Sequence, residues 1–112
     1  MQKTKALYKL WLLTVPHISK SSRYTLGAKI DRLIIDIIEQ SQIALYLPKD
    51  KKSEHISFAI TKNDLLKTFL MIAWENNIIS AGQYEHISNS VLEIGRMLGG
   101  WQKGLQNKTP EK

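Results

Sequence analysis

From Leu26 to Leu47 the chain returns to one face every three or four residues. Leu26, Ile30, Leu33, Ile37, Gln40, Ala44 and Leu47 fall at spacings of 4-3-4-3-4-3, with Gln40 the one polar member. A strand alternates its faces with period two and would scatter these residues over both sides of a sheet. A helix of about 3.6 residues per turn gathers them into one stripe. Alternating threes and fours are also the seam of a helix that crosses its neighbours at a shallow angle. Ile34, Ile38 and Leu45 widen the stripe beyond one seam. The pattern returns near the end of the chain in Tyr84, Ile87, Val91, Ile94, Leu98 and Trp101.

Local chemistry sets the remaining boundaries. Residues 4–15 carry Leu7, Leu10, Trp11 and Thr14 on a first helix that Pro16 should stop, because the residue before a proline is pushed out of the helical region. Residues 17–21 form a polar turn, with Ser19, Ser21 and Ser22 as candidate N-caps for a second helix over about 22–47. Pro48-Lys49-Asp50-Lys51-Lys52-Ser53 reads as a charged turn. A third helix, about 54–76, carries Phe58, Ala59, Leu65, Leu66, Phe69, Leu70, Ile72 and Ala73, and Thr61-Lys62-Asn63-Asp64 is its weak point. The fourth has the clearest start: Ser80 with Gln83 makes a capping box, and Ile79 with Tyr84 a hydrophobic staple. With connections this short, the expected fold is all-α, an up-and-down antiparallel four-helix bundle over residues 1–103. A flexible polar tail is expected at 104–112.

Several function classes drop out. There is no cysteine, which removes disulfides, thiolate metal sites and cysteine nucleophiles. Bundles of this size can hold two metals on Glu-x-x-His motifs. Here the positions three before His17, His55 and His86 are Thr14, Lys52 and Gln83. No serine sits in a Gly-x-Ser-x-Gly elbow, and phosphate-loop and dinucleotide fingerprints are missing. Asp31, Asp36 and Glu39 lie beside Lys29 and Arg32 and read as solvated helix-face pairs. The expectation is a chain with no catalytic residue, metal or cofactor. The apolar run Leu10 to Val15 is short for a secretory signal, and no stretch approaches the roughly 20 apolar residues that span a bilayer. The cytoplasm is the expected location.

The charge is segregated. The first 29 residues hold Lys3, Lys5, Lys9, Lys20, Arg23 and Lys29 and no carboxylate, while the other ten bases are matched by ten acids. The whole net charge of +6 therefore belongs to this stretch, and its natural partner is a polyanion. Lys20 and Arg23 lie near the start of the second helix. The helix dipole there disfavours cations by roughly a few tenths of a kcal/mol, while the backbone N–H groups favour phosphate. Plain solvation is the bland alternative. Lys3, Lys5 and Lys9 interleaved with Leu7, Leu10 and Trp11 also make a short basic amphipathic pattern, but the bundle needs that apolar face, so no membrane contact is expected. Surplus apolar residues (Ile34, Ile38, Leu45, Phe69, Ile72) exceed what a small bundle buries and imply self-association.

Glu93-Ile94-Gly95-Arg96-Met97-Leu98-Gly99-Gly100-Trp101, together with Arg23-Tyr24-Thr25-Leu26-Gly27 after a proline turn, resembles the accessory variability determinant (Avd) proteins of diversity-generating retroelements. These belong to a wider group of bacterial four-helix proteins that includes the one encoded in 23S rRNA intervening sequences. The resemblance covers about residues 7–103. It implies a non-catalytic, basic homopentamer that binds a reverse transcriptase and its template RNA and supports mutagenic cDNA synthesis. The alternative is a scaffold bundle of the intervening-sequence type with no polymerase partner. Where the family carries an aromatic-Pro-basic turn, this chain has Val15-Pro16-His17, and the base follows at Lys20. Arg23 and Arg96 fall inside the matched motifs; Lys9, Lys20 and Lys29 rest on charge alone. These five are the candidate contacts to RNA and DNA, with little sequence selectivity expected. Gly95 and Gly99 read as a small-xxx-small pair for close helix approach.

Overall fold

The computed structural model describes residues 2–107, and all four elements are helical. Helix α1 is Gln2–Thr14. Helix α2 covers 20–45 and is built from an α-helical turn Lys20–Ser22, a widened π turn Arg23–Gly27 and the regular stretch Ala28–Leu45. Helix α3 is Lys49–Glu75, and α4 is Ala81–Asn107. The helices close a ring of contacts: α2 packs on α3, α3 on α4, and α1 on both α4 and α2.

The seams meet at one core. Leu7 and Trp11 of α1, Ile30, Leu33, Ile34 and Ile37 of α2, Ile56, Leu66 and Leu70 of α3, and Ile87, Val91, Ile94 and Leu98 of α4 are all buried. Ile34, expected as surplus, belongs to this core. Leu45 and Ile72 are exposed, while Ile38 and Phe69 are partly buried against the core. Leu7 and Trp11 spend the apolar face of α1 inside the bundle, as the packing reading required.

Pro16 ends α1 as expected, in a 3-10 turn Val15–His17. The second helix starts earlier than its serines suggested, and Ser19, at its N-cap, makes no side-chain capping bond. The charged stretch after Pro48 is not a turn. Lys49 already opens α3, because Pro48 has the fixed extended geometry of an N-cap and Asp50 complements the positive helix end. Lys52 then reaches back from α3, and its Nζ donates to the carbonyls of Ala44 at 2.6 Å and Leu45 at 3.3 Å. It thereby caps the end of α2 from the next helix.

Thr61 to Asp64 do not interrupt α3. Asn63 is buried there and its Nδ2 donates to the Val91 carbonyl at 3.2 Å, so the polar side chain is held by the neighbouring helix. At the far end of α3, Asn77 takes the left-handed conformation at φ 60°. The Ile78 N–H bonds the Ala73 carbonyl at 2.8 Å and the Asn77 N–H that of Trp74 at 3.1 Å. This is a Schellman closure. The capping box follows directly: the Ser80 N–H meets Gln83 Oε1 at 2.9 Å, and the Gln83 N–H meets Ser80 Oγ at 3.1 Å. Helix α4 runs on through Asn107, four residues into the stretch read as a tail. The rest of that stretch, 108–112, lies outside the described residues.

Candidate nucleic-acid interface

The junction between α1 and α2 carries most of the candidate bases. Its unusual element is the π turn. Where an α-helix pairs a carbonyl with the amide four residues on, a π turn pairs it with the fifth and bulges the backbone. Here that brings the Ser22 carbonyl against Gly27, where an added Cβ would sit 3.1 Å from the oxygen. Glycine is the residue that fits. Thr25 Oγ1 also bonds back to the carbonyls of Ser21 and Ser22 at 3.2 and 3.3 Å, a habit that bends helices.

Arg23 opens this turn. Its Nε donates to the Ile18 carbonyl at 2.8 Å. One N–H is thus spent on fixing the side chain, and the other four of the guanidinium remain for a ligand. Beside it a pocket of about 230 Å³ is lined by Trp11, Val15, Ile18, Arg23, Gly27, Ala28 and Asp31. The indole Nε1 of Trp11 is buried there with no hydrogen-bond partner among the described residues. Asp31 is not a helix-face partner of Lys29 and Arg32, as the sequence suggested: it accepts from the Tyr8 hydroxyl at 2.9 Å and so ties α1 to α2. That bond, then burial, then the negative charge of Asp31 push the Tyr8 phenol above its usual value. Asp36 likewise pairs across helices, with Lys62 at 3.7 Å.

The remaining candidates are exposed but lie apart. Lys20 is one turn before Arg23. Lys9 stands on α1, four residues from Lys5. The Lys29 ammonium lies 5.7 Å from the centre of the Phe69 ring on α3, a cation–π distance. Arg96 lines a different groove, between α3 and α4, together with Lys67 and Asp64. Among the described residues, Lys3 is the one base of the first 29 with an ion pair, to Glu93 at 3.9 Å and well exposed. A single copy therefore groups Lys20 with Arg23 and leaves Lys29 and Arg96 on other sides of the bundle.

Comparison with protein families matches residues 1–105 to the family described as bAvd-like. The chain belongs to the bAvd-like family. Comparison with curated proteins gives no match. The match extends past both ends of the resemblance read from the sequence and takes in all of α1.

Within this bAvd-like chain the glycines of the α4 motif divide. A Cβ on Gly95 would lie 3.3 Å from Asn63 Nδ2, so α3 does approach closely there. Gly99 meets nothing within 4 Å, so the paired reading holds at one glycine and not at the other. Lys52 and Tyr8 were missed, because their partners lie on other helices and no local spacing announces them. No helix among the described residues is long and apolar enough to cross a membrane, and no three His, Asp or Glu side chains among them converge as a metal site would require.

Proposed function

We propose that this bAvd-like protein is a non-catalytic accessory factor that binds RNA and DNA through phosphate contacts. It associates in the cytoplasm with a retroelement reverse transcriptase and its template RNA and supports mutagenic cDNA synthesis. One observation carries the nucleic-acid part of this reading. The first 29 residues carry six bases and no acid, and five of those bases, Lys5, Lys9, Lys20, Arg23 and Lys29, have no ion pair among the described residues. Charges kept free of partners are available to a polyanion. Family membership supplies the polymerase part.

The chain is an up-and-down antiparallel bundle in this reading, since linkers of a few residues join long helices that pack side by side. It also works as a closed homo-oligomer, five subunits following the family. The outer face of α3 supports self-association. Phe58, Thr61, Leu65, Thr68 and Ile72 repeat at 3-4-3-4, carry no charge, and leave Phe58 45%, Leu65 40% and Ile72 37% exposed. This is a second seam on a helix whose first seam is already in the core. A ring of copies would bring bases that are separate in one chain around a common axis.

Reconstitution tests the proposal. Template-primed cDNA synthesis by the polymerase encoded beside this chain should require the purified protein. Synthesis that proceeds equally well without it, with no complex formed, would favour the scaffold reading instead.

A further inference from the structure

Between α3 and α4 lies a groove of about 260 Å³, lined among others by Ile60, Asn63, Lys67, Leu92, Arg96 and Gly99. Asn63 is only 1% exposed. Its Nδ2 is committed to the Val91 carbonyl, and a carbonyl oxygen can only accept, so the orientation of the amide is fixed. Oδ1 is left as a buried acceptor with no partner among the described residues. Such an atom is costly to keep dry and calls for a donor.

The rest of the groove narrows what that donor can belong to. Gly99 faces open space, so nothing within the chain requires glycine where alanine would make the better helix. Arg96 has no ion pair among the described residues, and Lys67 is partly neutralised by Asp64 at 3.5 Å. A lysine or arginine from a partner would meet like charge on entering. The groove suits a ligand that brings a neutral N–H to Oδ1, a flat apolar body between Ile60 and Leu92, and an anion to Arg96. A nucleotide has all three: a ring edge with N–H donors, a stacking face and a phosphate. Only a base free of its pairing partner can insert edge-first in this way.

We propose that this groove seats one unpaired base of a single-stranded nucleic acid, with Asn63 Oδ1 accepting from the base edge and Arg96 holding the adjacent phosphate. The proposal rests on the nucleic-acid reading above and adds a preference for single strands that phosphate contacts alone would not give.

Gly99→Leu fills the groove from a position where a side chain meets nothing of the chain's own. Fluorescence anisotropy would compare a labelled single-stranded RNA with the same sequence as a duplex. The variant should lose about tenfold or more of its single-strand affinity, the effect of one lost base contact, and less than twofold for the duplex. Arg96→Gln should make the salt dependence of single-strand binding shallower by about one unit. Unchanged single-strand affinity in Gly99→Leu, or equal losses for both forms, overturns the groove and leaves the basic α1–α2 reading standing. Wild-type protein that binds neither form overturns both. A variant that loses a protein partner while keeping its RNA affinity assigns the groove to that partner and overturns the proposal.

Discussion

The turn from α3 to α4 closes through its own neighbours. Asn77 supplies the left-handed residue, the Ile78 and Asn77 amides cap the carbonyls of α3, and Ser80 and Gln83 cap the amides of α4. Trp74 and Tyr84 stack across the corner with ring centres 4.8 Å apart. The junction from α1 to α2 is made differently. It has a proline 3-10 turn, an N-cap serine without a capping bond, a π turn and a buried indole N–H left unpaired. The side chain that ties this junction together is a cation, Arg23, bonded to the Ile18 carbonyl. A turn whose polar groups are all spent locally contributes stability and little else. The one that keeps donors in hand, and carries Lys20 and Arg23 beside them, is where a ligand can act.

If that contrast is right, mutations on the two sides should differ in kind. The largest effect belongs to the core that both share. Ile94→Ala should lower the unfolding free energy in urea by about 2–5 kcal/mol, whereas Leu26→Ala, on a partly buried side chain of the π turn, should cost about 1 kcal/mol. Equal losses would mean that the junction is packed as tightly as the rest.

Caps sharpen the comparison at lower amplitude. Ser80→Ala removes a made capping bond and should cost about 1 kcal/mol. Ser19→Ala removes none and should stay within about 0.5 kcal/mol of wild type. A Ser19→Ala loss as large as that of Ser80→Ala would show a cap working at the α2 start as well.

The smallest effect reads the α1–α2 tie itself. Tyr8→Phe should cost about 1 kcal/mol or less at neutral pH, the size of one partly exposed hydrogen bond. The Tyr8 phenol is raised in the folded state, so its contribution is complete below the unfolded value near 10. It disappears as pH climbs through the higher folded value. Wild-type and variant stabilities should converge in that alkaline window; a gap that stays constant there would mean that the Asp31 bond is not the tie.

How much the sequence revealed follows the same division. The start of α4 was legible in full because capping chemistry is local: Ser80 and Gln83 are three residues apart and read each other. Pro16 was legible for the same reason. The start of α3 at Lys49 was not, because what makes the run 49–53 helical includes Lys52 bonding carbonyls of α2, a partner on a different helix. Asn63 looked like a breaker and is held by Val91. The π turn has no periodic signature; in hindsight Gly27, in a stretch with no other reason to bend, was its one sign. The candidate bases could be named from charge, but their separation on three sides of the bundle depends on which helix each one faces.

Salt dependence of RNA binding tests the central claim, that the base-rich junction is kept open for phosphates. Affinity for one RNA would be measured over a series of salt concentrations for wild type and for an Arg23→Glu, Lys29→Glu double variant, with helicity and oligomer mass checked in both. Wild type should show a steep fall of log K with log salt. The variant should bind RNA and DNA more weakly, with a slope shallower by roughly one unit or more per lost contact. An unchanged affinity and slope in a variant of wild-type helicity and mass would contradict the account and leave the first 29 residues with a solvating charge only.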